Sequence, residues 1–256
     1  GGVQTVSAAM DDRGVIPESL GSADVLHISP SHHFPTGIVT PVSRRRELLD
    51  WANRGEKWII EDDYDSEFRF DAHPVPAMQS LDDGGRVIYM NSFSKSLAPS
   101  IRISYMVLPG GLMAAFQQKL GFYSCTVPSF EQYTLARFLS RAFINKGHFE
   151  KHINRMRKFY KNRRNAVVSL LEKCSFSDKL AIQEQDAGLH FLLKVDTPLS
   201  DHALAEKLAT LGIRVRTLSS YYHDQSEDLH CLVINYSGLK EERLSAALAA
   251  ISGELA

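Results

Sequence analysis

Two rhythms of apolar and polar positions alternate along the chain. Short β-rich runs at Val25 to Ile28, Trp58 to Glu61, Val87 to Met90 and Ile103 to Leu108 are separated by stretches with helical spacing. That alternation predicts an α/β protein with a mainly parallel sheet. Between the first two runs, Val42 to Asn53 places Leu48, Leu49 and Trp51 on an apolar stripe beside Arg44, Arg45, Arg46 and Asp50, the spacing of an amphipathic crossover helix. Past Pro109, Gly110 and Gly111 the pattern lengthens into helices over Leu112 to Tyr123, Phe130 to Asn145 and His148 to Cys174. From Ala181 the mixture returns, with strands at Leu189 to Val195, Ile213 to Arg216 and Leu232 to Asn235, a helix from Leu199 to Leu211 and a closing helix from Lys240. The expected organisation is a large domain over 1–145, a long interdomain helix over 146–175 and a small C-terminal α+β domain over 176–256.

Composition narrows the class further. A chain of 256 residues with 44% hydrophobic and 23% charged positions is of the soluble globular kind, which excludes disordered and fibrous classes. Its net charge of -1 and pI near 6.9 give no general attraction to nucleic acid or to an anionic membrane. Cys125, Cys174 and Cys231 are far apart and lack CxxC spacing, so reduced thiols in a cytoplasmic protein are the simplest reading. No apolar run approaches the roughly 18 to 20 residues that cross a bilayer, and Gly1 to Met10 lacks the pattern of a secretion leader. The chain begins without methionine and reads as a piece of a longer protein.

The candidate chemistry sits at two strand ends. Ile60-Glu61-Asp62-Asp63-Tyr64 sets acids and a tyrosine where the ligand crevice of an open parallel sheet lies. Strand alternation points Asp62 and Tyr64 one way and Asp63 the other. A carboxylate facing a pyridine nitrogen keeps that nitrogen protonated, and Tyr64 suits the ring's phenolic oxygen. On these residues alone, an acidic strand end capping a neighbouring helix fits as well. The next strand leads into Asn91-Ser92-Phe93-Ser94-Lys95-Ser96-Leu97-Ala98-Pro99-Ser100-Ile101-Arg102. There a lysine in a serine-rich loop has the amine that forms an imine with an aldehyde cofactor. Ser92, Ser94 and the guanidinium of Arg102 suit a phosphate.

SFSKSLAPSIRISY and IIEDDYDSEF resemble the lysine loop and aspartate strand of fold-type-I aminotransferases, and most of all those of the MocR/GabR regulators of the GntR family. In that family a winged helix-turn-helix DNA-binding domain is fused to an aminotransferase-like domain. Ser31-His32-His33-Phe34-Pro35-Thr36-Gly37, Pro41-Val42-Ser43-Arg44-Arg45 and Ala187-Gly188-Leu189-His190-Phe191 extend the resemblance over nearly the whole chain. It implies part of a fold-type-I large domain plus the small C-terminal domain, with pyridoxal 5'-phosphate (PLP) as cofactor. Lys95 is then the internal aldimine, Asp62 the partner of the pyridine nitrogen, Tyr64 that of the phenolic oxygen, and Ser92, Ser94 and Arg102 the phosphate group's partners. Ordinary aminotransferases have Asn-Pro-Thr-Gly where this chain has Phe34-Pro35-Thr36-Gly37, a departure the regulators share.

Two further departures shape the expectation. Ser220 stands where GabR-like proteins hold the effector's carboxylate on an arginine, with Tyr221 and Tyr222 following, and Arg214 and Arg216 are nearby substitutes. Ile234-Asn235-Tyr236-Ser237 lacks the carboxylate arginine that aminotransferases carry in the final strand. The strands and the helix start that cradle the phosphate, the dimer-building helices and the DNA-binding domain would all precede Gly1. The resemblance thus implies an effector-sensing domain, homodimeric when full length, in which an incoming amine or amino acid displaces Lys95 as an external aldimine. DNA would be bound only through the upstream domain. A working aminotransferase and a PLP-free interaction domain are the alternatives. The basic stretch Lys146 to Arg164 reads as one solvated helix face, because Phe149, Ile153, Met156 and Tyr160 recur on the other. His148 and His152 read as exposed helix histidines, with no metal site expected.

Overall fold

The computed structural model describes residues 2–70, 75–144, 148–223 and 227–255. They fall into two compact units: Gly1–His33 with Ile38–Glu67 and His73–Met156, and Phe34–Gly37 with Phe68–Ala72 and Arg157–Ala256. Lys146 of the basic stretch lies outside the described residues.

The first unit opens with a small hairpin of β1 (Met10–Asp11) and β2 (Gly14–Val15), then β3 (Val25–Ile28). Helix α1 (Val42–Arg54) crosses over to β4 (Trp58–Asp62), and β5 (Val87–Ser92) runs straight into a helical turn, α2 (Phe93–Ser96). After β6 (Ser104–Val107) come α3 (Gly110–Leu120), α4 (Ser129–Ile144) and α5 (His148–Glu172), whose residues from Arg157 onward belong to the second unit. The sheet order is β3-β4-β5-β6, the first three strands parallel and β6 antiparallel. Alternate residues of β3 and β4 are buried, as the two-residue repeat of a strand requires. Leu26, Ile28, Ile59 and Val87 from the sheet pack with Leu48, Leu49 and Ala52 of α1 in one core. Leu48 is fully buried, so Leu48→Ala costs about 2–5 kcal/mol.

The arginines of α1 depart from the amphipathic expectation, which turns charge toward solvent. Arg44 and Arg45 are buried. Arg45 donates from Nε to the Thr40 carbonyl at 2.9 Å, from Nη1 to Pro76 at 2.9 Å and from Nη2 to Pro30 at 2.7 Å. Arg44 donates to the Val15 carbonyl at 3.0 Å and pairs with Asp11. Their planar forks satisfy backbone carbonyls of the surrounding loops, which compensates the burial of charge.

The second unit adds β7 (Leu180–Gln183), β8 (His190–Val195), α6 (Asp201–Thr210), β9 (Arg216–Thr217), β10 (Cys231–Asn235) and α7 (Glu241–Leu255). Its sheet, β7-β8-β10-β9, is antiparallel throughout. β7 has no counterpart in the expected strands, and the strand expected at Ile213 to Arg216 contracts to Arg216–Thr217. Ser200 caps α6 by accepting from the Ala203 N–H at 3.2 Å, and buried Asp201 accepts from the N–H groups of Leu229 and His230, at 3.1 and 2.8 Å. On α5 the basic residues are not all solvated. Arg163 donates to the Ser237 carbonyl at 2.7 Å, and buried Arg164 donates to the Gln185 carbonyl at 2.9 Å and lies over the Phe70 ring.

Candidate functional site

The topology brings the candidate residues to one end of the first unit's sheet. Asp62 closes β4 and pairs in register with Met90, two residues before Ser92 closes β5. Parallel neighbours lie about 4.8 Å apart, so the chain leaving β5 emerges beside Asp62. Because β6 is antiparallel, its first residue, Ser104, pairs with Ser92, and the Phe93 N–H donates to the Ile103 carbonyl at 2.9 Å. Arg102, on the approach to β6, therefore reaches the same edge as Lys95. Lys95 sits in the helical turn α2 and not in an irregular loop: Leu97 N–H returns to the Phe93 carbonyl at 2.9 Å and tightens four residues into one turn. Ser92 and Ser94 are half-buried, whereas Lys95 and Arg102 are exposed. Arg102 holds a left-handed backbone, φ 53°, unusual for a residue with a side chain and costing on the order of 1 kcal/mol. His152 of α5, expected as an exposed helix residue, is half-buried and bonded through Nε2 to the Ser96 carbonyl at 2.9 Å, bracing the turn that carries Lys95.

Around Asp62 the acids divide by strand face. Glu61 is fully buried and accepts from the N–H groups of Met78 and Gln79 at 2.8 and 2.9 Å. The capping role open to this acidic strand end thus falls to Glu61. Asp63, also buried, accepts from the Tyr89 hydroxyl at 2.8 Å. Asp62 keeps a side chain 35% exposed, its basic neighbour being His27 Nε2 at 3.7 Å, long for a hydrogen bond. Burial pushes its carboxyl above the usual aspartate range; His27 opposes that push, and Asp63 and Asp65 add to it. Tyr64 donates to the His32 carbonyl at 3.1 Å, and burial, then Asp65 and Asp62, push its phenol upward. Its one proton is engaged there, so a cofactor oxygen would compete for it. His32 Nδ1 meets Asp65 Oδ2 at 2.9 Å with both side chains buried. This pair follows adjacent parallel strands 33 residues apart, and only the β3–β4 pairing marks the two as neighbours.

In the second unit, Phe34 is edge-on to His190 at 5.2 Å and to Tyr221 at 5.1 Å between ring centres. Gly37 has φ 77°, and a Cβ there would meet Glu184 Cβ at 2.5 Å, so glycine is required after Thr36. Arg214 and Arg216 are exposed, with the Arg216 guanidinium over the Tyr221 ring at 5.7 Å. Ser220 is exposed and its hydroxyl donates to the Thr217 carbonyl at 2.7 Å.

A three-stranded parallel core with a lysine-bearing turn beside an aspartate-ended strand, joined to a small antiparallel α+β unit, defines the fold-type-I class of PLP-dependent transferases. The chain belongs to the class I and II aminotransferase family, whose model matches residues 18–251. It is 38% identical over 234 residues to the HTH-type transcriptional regulator YhdI of Bacillus subtilis, covering 91% of this chain and 48% of YhdI. It is 35% identical over 226 residues to the probable rhizopine catabolism regulatory protein MocR of Rhizobium meliloti, covering 87% and 44%. The chain thus spans about half the length of these curated relatives. Among solved structures, Pyrococcus horikoshii kynurenine aminotransferase superposes with a TM-score of 0.75 at 25% identity, covering 95% of this chain and 61% of that one.

Family and fold imply PLP as the cofactor. The donor set fits it: a half-exposed carboxylate whose one basic contact among the described residues is the long one to His27, an exposed amine, two hydroxyls and an exposed guanidinium share one sheet edge. No helix among the described residues is long and apolar enough to cross a membrane.

Proposed function

We propose that this chain is the PLP-dependent, effector-sensing part of a transcriptional regulator. What carries the reading is the pairing register that sets Asp62, the Lys95 turn and the approach of Arg102 at one end of the sheet, in a chain whose curated relatives include HTH-type regulators. When bound, PLP supplies an aldehyde carbon for imine formation and a cationic ring that draws electrons from it. In this reading Lys95 carries the cofactor and is the group an effector's amine replaces, Asp62 holds the pyridine nitrogen protonated, and Tyr64 serves the phenolic oxygen. Ser92, Ser94 and Arg102 hold the phosphate. Ser220, Tyr221, Arg214 and Arg216 are the effector-recognition residues, within a small domain over 176–256 joined through a helix over 146–175 to the large domain over 1–145. Contact with DNA belongs to an HTH portion such as the relatives' names describe, in a cytoplasmic homodimer. Because the signal is differential affinity for two states, turnover is not required.

The test is spectroscopic. Protein loaded with PLP is expected to absorb in the visible through its lysine linkage, and Lys95→Ala to lose that band. A band retained in Lys95→Ala removes Lys95 from the mechanism. Sustained keto-acid production from an amino acid would favour an aminotransferase over a sensor.

A further inference from the structure

The histidine pair that follows β3 has no part in the donor set for the cofactor, yet its first member, His32, touches both residues of Tyr64-Asp65. The His32 carbonyl accepts from the Tyr64 hydroxyl at 3.1 Å, while the His32 imidazole Nδ1 meets Asp65 Oδ2 at 2.9 Å. The two side chains of that imidazole–carboxylate pair are only 1% and 3% exposed. Stripping either one of its partner would strand a buried polar group, so the pair locks His32 onto the loop after β4. The backbone on both sides of His32 is fixed as well. The Pro30 carbonyl accepts from Arg45 Nη2 at 2.7 Å and from the Thr40 N–H at 2.9 Å, and the His33 N–H donates to the Ile38 carbonyl at 2.9 Å. The carbonyl that meets Tyr64 is thus held through the residues before and after it and through its own side chain.

A phenol O–H prefers the plane of its ring and can point to either side of the C–O bond, and its oxygen accepts as well as donates. Turning the proton from one side to the other leaves the ring in place. Burial, then Asp65 and Asp62, push the Tyr64 phenol upward, so the hydroxyl keeps the proton it has to offer. The His32 carbonyl satisfies this half-buried hydroxyl and sets where its oxygen stands. A donor fixed in advance loses less freedom when it takes a new partner.

We propose that His32 and Asp65 are positioning residues that hold Tyr64 as a preset donor, its hydroxyl turning from the His32 carbonyl to the phenolic oxygen of PLP when the cofactor is bound. The inference rests on the PLP reading for what Tyr64 serves. The clasp on Tyr64 itself does not depend on it.

Two substitutions at His32 separate positioning from packing. His32→Asn sets an amide donor near the place of Nδ1 and should keep the bond to Asp65, whereas His32→Gln sets it near Nε2 and should lose that bond. The first readout is the cofactor-free full chain with tyrosine carbon-13 labelled at Cζ, in which Tyr64→Phe identifies the Tyr64 signal by its loss. That signal should move in His32→Gln and stay in His32→Asn. Asp65→Ser, too short to reach the imidazole, should match His32→Gln. In the second readout, PLP is titrated and followed by its visible band. His32→Gln should bind about five-fold more weakly than wild type, as loss of one hydrogen bond implies, and His32→Asn within about two-fold of it. In a Tyr64→Phe background His32→Gln should bring no further loss, since residues that act as a unit are not additive. The proposal is overturned if the Tyr64 signal is unmoved in His32→Gln and Asp65→Ser, if the two His32 variants match each other, or if His32→Gln weakens binding equally with and without the Tyr64 hydroxyl. If PLP gives no visible band with the wild type, the cofactor reading falls and the labelled-tyrosine comparison decides the clasp; if the band appears while that comparison fails, this inference falls alone.

Discussion

Arg45→Met probes the clamp behind the candidate site. Arg45 and Glu61 are both fully buried, with Nη1 to Oε1 at 3.6 Å, and Glu61 immediately precedes Asp62 at the end of β4. Methionine keeps much of the side-chain volume but removes three charge-assisted bonds to the carbonyls of Thr40, Pro76 and Pro30. It also strands Glu61 without its cation. Breaking a buried pair by removing one partner costs about 3–5 kcal/mol, a large part of the roughly 5–15 kcal/mol that stabilises a native protein. At about 2–4 °C per kcal/mol for a chain of this size, the melting temperature should fall by about 10 °C, read by circular dichroism. Glu61→Gln keeps one acceptor for the N–H groups of Met78 and Gln79 and removes the counter-charge. The double variant should therefore lose less than the sum of the singles, by at least about 1 kcal/mol, as expected for residues in contact. A single-variant loss below about 1 kcal/mol, or additivity within about 0.5 kcal/mol, refutes the clamp.

Three further outcomes are expected. Because burial raises the Asp62 carboxyl, the folded chain binds that proton more tightly than the unfolded one. The stability this contributes is full below the ordinary aspartate pKa and is lost as pH rises through the folded value. Urea midpoints of the cofactor-free wild type should thus fall relative to Asp62→Asn across that window, and parallel curves would contradict the assignment. His152→Ala frees the Ser96 carbonyl, so amide exchange over 93–97 should quicken by up to about ten-fold, for a bond worth about 0.5–1.5 kcal/mol; unchanged exchange would show that the turn holds without it. Burial pushes the Cys231 thiol up to about 11, whereas Cys125 is exposed. Iodoacetamide near neutral pH should label Cys125 in the native protein and Cys231 only after unfolding, as mass spectrometry of the peptides will show.

What the sequence reveals about this molecule follows from which forces leave a local trace. Val25–Ile28, Trp58–Asp62 and Val87–Ser92 are legible because apolar runs ending in polar clusters read as buried parallel strands, and Asp62 and the Lys95 segment stand out at their ends. β7 is not legible, since Leu180–Gln183 is four residues with alternate positions exposed and is fixed mainly by its ladder with β8. The same limit hides the arginines: Arg44 and Arg45 count as polar in any periodicity, yet carbonyls brought in by distant loops make their burial tolerable. The contact of His32 with Asp65 is illegible for a related reason, because the parallel pairing of β3 with β4 places in contact two loops that the sequence keeps 33 residues apart. The partners of Asp62, Tyr64 and Lys95 are thus largely non-local: His27 and His32 reach the aspartate strand from the chain around β3, and His152 reaches the lysine turn from α5. Chemistry-bearing residues can be read from motif and strand position, whereas the groups that hold their protons and orient them come from the topology. Substitutions at His32 or Asp65 should accordingly alter how Tyr64 is held, and His152→Ala should alter how the lysine turn is held while leaving every quoted motif of the sequence intact.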